Sequence, residues 1–220
     1  MMRTEGTGKS GYHHGDLRNA LIEAATDLAR DGGPEAVVLR AAARRVGVSP
    51  TAAYRHFAGQ GDLLHAVKER GQRRLAETME RSVRAVESTG DAGVDAVERL
   101  KALGLGYVRF ALAEPGLFRT AFCLTPLTRD GTGEAGPDPD PDTWMYASYR
   151  LLVEALDTLV TTGRMPAARR PGAEVAAWGT VHGLAMLFLE GPLVRFPADQ
   201  RDTVVAQAVT TIVRGLTAPE

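Results

Sequence analysis

Between Ala42 and Phe57 the chain reads Ala-Ala-Arg-Arg-Val-Gly-Val-Ser-Pro-Thr-Ala-Ala-Tyr-Arg-His-Phe, a pattern that restricts this stretch to helix, tight turn and second helix. Ala and Val alternate with arginines at helical spacing, and Gly47 suits the left-handed backbone that ends a helix. Ser49 offers a hydroxyl to the free N–H groups of a new first turn. Pro50 fits the position after it, where its missing N–H costs nothing. A helix pair joined by such a turn sets its second helix into a DNA major groove.

The surrounding chain supplies what this unit needs. Leu17, Ala20, Leu21, Ala24, Ala25 and Leu28 recur at the spacing of an amphipathic helix that ends at Gly32-Gly33-Pro34. With helices expected over Val37–Val46 and Pro50–Phe57, residues Leu21, Leu28, Val46, Val48 and Phe57 make a small shared core. Residues 36–61 carry Arg40, Arg44, Arg45 and Arg55 and no Asp or Glu, a local charge of +4 in a chain whose net charge is -1. A nucleic-acid surface must therefore be local, and the cluster coincides with the helix pair.

Beyond Phe57 all periodicity is helical. Asp62 is expected to cap a long helix from Leu63 to about Ser88, whose ~25 residues span roughly 38 Å. Further helices are expected over Val94–Ala113, Leu117–Leu124, Thr143–Thr162 and Ala173–Glu190, with Pro197 near the start of a last one. That last helix carries a stripe of Val205, Ala208, Val209, Ile212, Val213 and Leu216. Residues 125–142 are rich in Gly, Pro and Asp and read as an exposed flexible loop. The expected fold is all-α. It comprises an arm over 1–15, a three-helix unit over 16–62, and a helical unit over 63–220 reached through the long helix.

Several chemistries find no residues to carry them. Cys123 is the single cysteine, which excludes an intrachain disulfide and suits a reducing, cytoplasmic setting. The longest uncharged run, Val175–Leu189, falls short of the roughly 20 residues of a membrane span. Asp138-Pro139-Asp140-Pro141-Asp142 lacks the Gly and Glu of a calcium loop. No nucleophile elbow or phosphate-cradling Gly loop is present, so neither an enzyme nor a cofactor is expected.

With the three N-terminal helices placed, Tyr12-His13-His14-Gly15-Asp16-Leu17-Arg18 and Gly47 through Phe57 resemble the DNA-binding domain of TetR-type repressors. Trp178-Gly179-Thr180-Val181-His182-Gly183 resembles the Trp-His-Gly motif of one C-terminal subfamily, and Phe110 through Phe118 resembles its middle helix. The resemblance implies a homodimer that reads a palindromic operator and holds a small-molecule pocket in its C-terminal domains. Two positions depart from the pattern. Val38 stands where a Ser or Thr usually caps the second helix, and Gln60 stands where a Lys usually follows the recognition helix.

Candidate DNA-binding residues follow. Pro50, Thr51 and Ala52, after the capping Ser49, are the candidates for base edges. Thr51 can hydrogen-bond or pack on a thymine methyl, and Ala52 can only pack. Tyr54 and His56 resemble the family's phosphate-contacting pair, and Arg55 can reach a base or the backbone. Arg40 and Arg44 read as phosphate contacts that position without specifying sequence. Gln60 releases no counterion, which predicts a salt dependence shallower by about one charge. Arg45 reads as a solvated surface charge.

In the second unit Trp178, His182 and Met186 share a helix face. With Tyr107, Phe110, Phe118, Phe122, Trp144 and Tyr149 they are the candidates for a pocket that suits a small, largely apolar ligand, and core packing competes for each aromatic. Gly179 and Gly183 permit close helix approach, so the last two helices are expected to pair with their copies as a four-helix dimer interface broken by charge at Ile212. The function expected is a repressor released from DNA when a ligand tilts the second unit through the long helix. A DNA-binding module without an effector, and a helical ligand-binding or catalytic protein with an accidental helix pair, are the alternatives.

Overall fold

The computed structural model describes residues 17–123 and 147–218, and among these every regular element is helical. The expectations for the arm, the 125–142 loop and Trp144 lie outside the described residues. The first helix, α1 (Leu17–Gly32), buries Leu17, Leu21, Ile22, Ala25 and Ala29. Gly33, with φ at 75°, turns the chain into a 3₁₀ turn over Pro34–Ala36. That turn binds the Val37 and Val38 N–H groups to the Pro34 and Ala36 carbonyls, so α2 starts at Leu39, two residues later than expected, and runs Leu39–Val46. Val38 occupies its N-cap with no side-chain hydrogen bond, as the sequence implies.

Gly47 closes α2 in the left-handed conformation, φ 80° and ψ 27°. The Val48 N–H returns to the Ala43 carbonyl at 3.0 Å and the Gly47 N–H to Arg44 at 3.2 Å, the paired closure that lets a chain leave a helix sharply. α3 (Pro50–Tyr54) follows, with Ser49 Oγ accepting the Ala52 N–H at 3.2 Å. This helix is shorter than the expected Pro50–Phe57. The Arg55 and His56 N–H groups bond three residues back, to Ala52 and Ala53, which tightens the last turn and drops Phe57 into the core at 1% exposure.

The long helix α4 (Gln60–Arg84) begins before Leu63. Asp62 lies in its first turn, and its carboxylate reaches back to accept the Ala58 N–H at 3.1 Å. α5 (Ala92–Ala113) is capped by Asp91, which accepts the N–H groups of Gly93 and Val94 at 2.8 and 2.9 Å. Asp95 in its first turn binds back to the Ser88 and Thr89 hydroxyls and the Thr89 N–H. Then come α6 (Pro115–Phe122), α7 (Ala147–Thr161), α8 (Ala173–Leu189) and α9 (Ala198–Thr217).

α5 is the centre of the second half. It packs on α4, α6, α7, α8 and α9, in keeping with an apolar circumference over Ala102–Ala113. The stripe on α9 faces this centre: Val205, Val209, Val213 and Leu216 are buried within the protomer, while Ala208 and Ile212 are half-buried. A charge at Ile212 would disturb the protomer as well as any interface, which corrects its use as a clean dimer probe. The outer face of α9 is polar, with Asp202, Thr203, Gln207, Thr211 and Arg214 exposed. On α8 the outward side is apolar, with Val175 64% and Leu187 40% exposed. Among the described residues no helix is long and apolar enough to cross a membrane.

Candidate functional site

Two sites emerge, one in each half of the chain, and one short helix touches the elements of both. At the first, the turn geometry holds α3 away from the core on its N-terminal side. Ser49, Pro50, Thr51, Arg55 and His56 are exposed, and Tyr54 is 49% exposed, with about half of its surface open to a partner. Arg40 and Arg44 on α2 and Gln60 at the start of α4 are exposed as well. Ser49 spends its side-chain acceptor on the cap, and Ala52 is half-buried against the core. Part of the Ala52 methyl thus remains open beside Pro50 and Thr51, which make up the exposed tip. Arg45 lies 3.8 Å from Asp31, in keeping with an ordinary surface charge.

Arg18 adds a side chain that helical periodicity does not single out. It is exposed on α1, and its guanidinium carbon sits 5.0 Å from the centre of the Phe57 ring. The sequence pattern gives no sign of this, because the contact joins distant positions on two different elements.

The second site gathers aromatic rings from four helices. Tyr107 and Phe110 come from α5, Phe118 and Phe122 from α6, Tyr149 from α7, and Trp178 and His182 from α8. Phe122 has ring centroids 4.9 Å from both Phe118 and His182, and Tyr149 packs edge-on to Trp178 at 6.0 Å. Phe110 reaches the cluster through Phe118, at 6.5 Å. Met186, one turn beyond His182, is half-buried against the core. All the expected aromatics within the described residues thus converge.

A hydrogen-bonded line runs through them. Trp178 Nε1 donates to Tyr107 Oη at 3.1 Å, and Tyr107 Oη lies 2.8 Å from His182 Nδ1. Burial pushes the Tyr107 phenol well above its ordinary range and lowers His182. The phenol thus keeps its proton and the imidazole is neutral. Since the indole N–H can only donate, His182 Nδ1 is the one acceptor that the described residues offer to the buried Tyr107 O–H, which assigns Tyr107 as donor and His182 Nδ1 as acceptor.

α6 links the two sites. Phe118 and Phe122 project into the aromatic cluster. At its other end, a Cβ on Gly116 would collide with the carbonyl oxygens of Ala29 and Arg30, so only glycine lets α6 press against the C-terminus of α1. Glu114 accepts from Arg30 Nε at 2.9 Å and lies 3.5 Å from Arg74. The far end is tied to α4, where Gln72 Nε2 donates to the Ala121 carbonyl at 3.0 Å and Lys68 Nζ to that of Cys123 at 2.7 Å. Among the described residues no group of His, Cys, Asp or Glu could hold a metal ion.

Residues 21–67 match the bacterial regulatory proteins of the tetR family, and residues 100–212 match the tetracyclin repressor-like C-terminal domain. A solved protein of unknown function from Rhodococcus sp. RHA1 is 31% identical, with 95% of this chain and 100% of that one aligned at a TM-score of 0.73. The TetR family transcriptional regulator PfmR from Thermus thermophilus shares the fold at 19% identity, TM-score 0.58, over 89% of this chain and 98% of that one. So does a TetR-family transcriptional regulator from Pectobacterium atrosepticum, at 21% identity and TM-score 0.59, over 93% and 96%. No curated protein matches the chain. With both halves matched and the helix–turn–helix face exposed, the chain is a DNA-binding transcription regulator of the TetR family.

Proposed function

We propose that this regulator is a homodimeric repressor that a small, largely apolar molecule releases from a palindromic operator. The observation that carries the reading is α6, which contributes Phe118 and Phe122 to the aromatic cluster and rests through Gly116 on the end of α1. A ligand that wedges between Phe122, Trp178 and His182 displaces α6, and the displacement reaches the DNA-reading helices through α1 as well as through α4. It acts only if the ligand prefers the displaced state energetically. The recognition helices of a dimer must lie about 34 to 36 Å apart to meet successive turns of DNA, so a small rotation of each unit is enough to lose both half-sites.

In the DNA-bound state Thr51 and Pro50 meet base edges, with Ser49 fixing the helix start and Ala52 lying behind them. Tyr54, Arg55, His56, Arg40, Arg44 and Gln60 hold phosphates, and Arg18, laid over Phe57, joins them. The apolar side of α8 supports a partner copy there: Val175 and Leu187 are exposed, and Gly179 and Gly183 meet nothing within 4 Å of where a Cβ would stand. α9 contributes Ala208 and Ile212 at the edge.

Fluorescence anisotropy on DNA flanking the protein's own gene tests the reading. The expected result is salt-dependent binding that at least one compound of a broad aromatic panel reverses, with a matching rise in melting temperature. Binding that no compound alters would leave a DNA-binding regulator without an effector, and absence of binding at low salt would remove the operator reading as well.

A further inference from the structure

The relay through Tyr107 leaves one hydrogen-bonding atom of the aromatic cluster unengaged, on the half-buried side formed by Phe122, Trp178 and His182. His182 Nδ1 is occupied by the Tyr107 hydroxyl, 2.8 Å away. His182 Nε2 makes no hydrogen bond to the described residues, and none of their polar side-chain atoms is buried without a partner, so Nε2 keeps access to open space. Because a neutral imidazole holds its proton on the nitrogen that is not accepting, that open atom is a donor. Around it stand Phe122, Phe118 and Trp178, at centroid distances of 4.9, 5.6 and 5.8 Å from the His182 ring.

No carboxylate joins this ring of side chains among the described residues. The acidic group that acts electrostatically on Tyr149, at the edge of the cluster, is Glu174, and Arg170 Nη1 holds it at 2.6 Å. A bare aromatic box also attracts cations through its π faces. Here the unengaged atom is an N–H donor, which offers an ammonium group no acceptor, and that works against a cation.

We infer that the aromatic cluster takes a planar, uncharged aromatic molecule that carries a hydrogen-bond acceptor such as a ring carbonyl, with His182 Nε2–H as the group that recognises the acceptor. Tyr107 is the positioning residue, since it fixes which imidazole nitrogen carries the proton, and Trp178 in turn fixes the phenol. This inference rests on the ligand-releasable reading above and gives that site its chemistry.

Equilibrium dialysis of the full-length protein with three probes of like shape tests it: 2-acetylnaphthalene, 2-ethylnaphthalene and trimethyl(2-naphthyl)ammonium. The acetyl compound is expected to bind roughly fivefold tighter than the ethyl compound, the worth of one neutral hydrogen bond. The advantage disappears in His182→Phe, which keeps the ring and loses the donor. Independently of any variant's folding, long-range ¹⁵N–¹H correlation on the unsubstituted protein should show His182 as the Nε2–H tautomer, and Tyr107→Phe should convert it to a mixture. Equal binding of the acetyl and ethyl probes, tightest binding of the ammonium probe, or an Nδ1–H tautomer overturns the inference while leaving a ligand site in place. Binding of none of the three also overturns it, and the panel assay for operator release then decides whether the ligand reading falls too.

Discussion

A single proton decides how His182 presents itself. Its imidazole is held neutral by burial, and in the unfolded chain it titrates near the ordinary 6.5. Since the folded value lies lower, the folded state binds fewer protons between the two. The contribution to stability is complete above about pH 6.5 and is lost as pH falls from there through the folded value. The melting-temperature difference between the protein and His182→Phe, compared at roughly pH 7.5 and pH 5, should shrink or reverse at the lower pH. Asp95 behaves likewise at a lower range. Hydrogen bonds from the Ser88 hydroxyl first, then the Thr89 N–H and hydroxyl, bring its carboxyl down to about 2 from an ordinary 3.8. Its stabilising effect is present above 3.8 and fades as pH falls toward 2. In Ser88→Ala the carboxyl midpoint, read from side-chain ¹³C shifts, should move up. On the DNA side, Tyr54→Ala should weaken binding to every sequence by roughly ten- to a hundredfold, as expected for losing a hydrogen bond to a charged phosphate. Thr51→Ala should instead relax preference at one base pair. An anisotropy series over single-base operator variants separates the two, and the opposite pattern would exchange their roles.

Helices and their junctions set what these residues can do. The turn between α2 and α3 is legible almost completely from Gly47, Ser49 and Pro50, because left-handed backbone, capping oxygen and missing N–H each act within a few residues. Equally local bonds escape notice where glycines on either side read as a chain break. Asp91 and Asp95 organise the start of α5, yet in sequence the stretch around them reads only as a break; an Asp followed four residues later by another, after Ser88-Thr89, is the usable signal there. The stripe on α9 is legible as apolar, but a period of 3.6 does not say whose surface it meets, and α5 claims most of it. Trp178 and His182 share a face by spacing alone, whereas the Tyr107 hydroxyl that joins them lies 71 and 75 residues away. At this scale two substitutions are informative. Gly47→Ala should cost about 1 kcal/mol or more, the penalty of placing a Cβ in left-handed backbone, measurable by urea denaturation. Glu114→Gln weakens the tie to Arg30 and Arg74, which resists only separation of α6 from α1, so operator affinity and the ligand concentration needed for release should both change less than about twofold. A several-fold rise in that concentration would make the ion pair the transmitting contact in place of the backbone at Gly116.

For the molecule as a whole, the proposed dimer raises the question of where two copies would meet and how far charge governs the hold on DNA. Leu187→Glu, on the exposed side of α8, should give a folded species of monomer mass in sedimentation with operator affinity sharply reduced, because a single half-site loses the benefit of a linked second one. A stable dimer in this variant would move the interface elsewhere. With Gln60 neutral, restoring the charge by Gln60→Lys should steepen the dependence of log affinity on log salt by about one unit per protomer. Little in the local sequence distinguishes bases strongly, since Thr51 is the one exposed hydrogen-bonding side chain at the free tip of α3. On the proposed dimeric reading, operator choice should then rest on half-site spacing and on DNA shape as much as on contacts to bases.

The junction at Gly116 gives this coupling a direction. Backbone pressed on backbone resists compression steeply, while the Glu114–Arg30 pair that resists separation is partly solvated and yields. The joint is therefore stiff under push and soft under pull, much as a strut differs from a tether. Under the proposed release by ligand, a compound bulky enough to drive α6 toward α1 should pass its displacement on to the DNA-reading helices. One that merely draws the rings of Phe118 and Phe122 together is absorbed at the joint. Among molecules that bind the cluster equally well, the small ones should then be silent occupants and the large ones inducers.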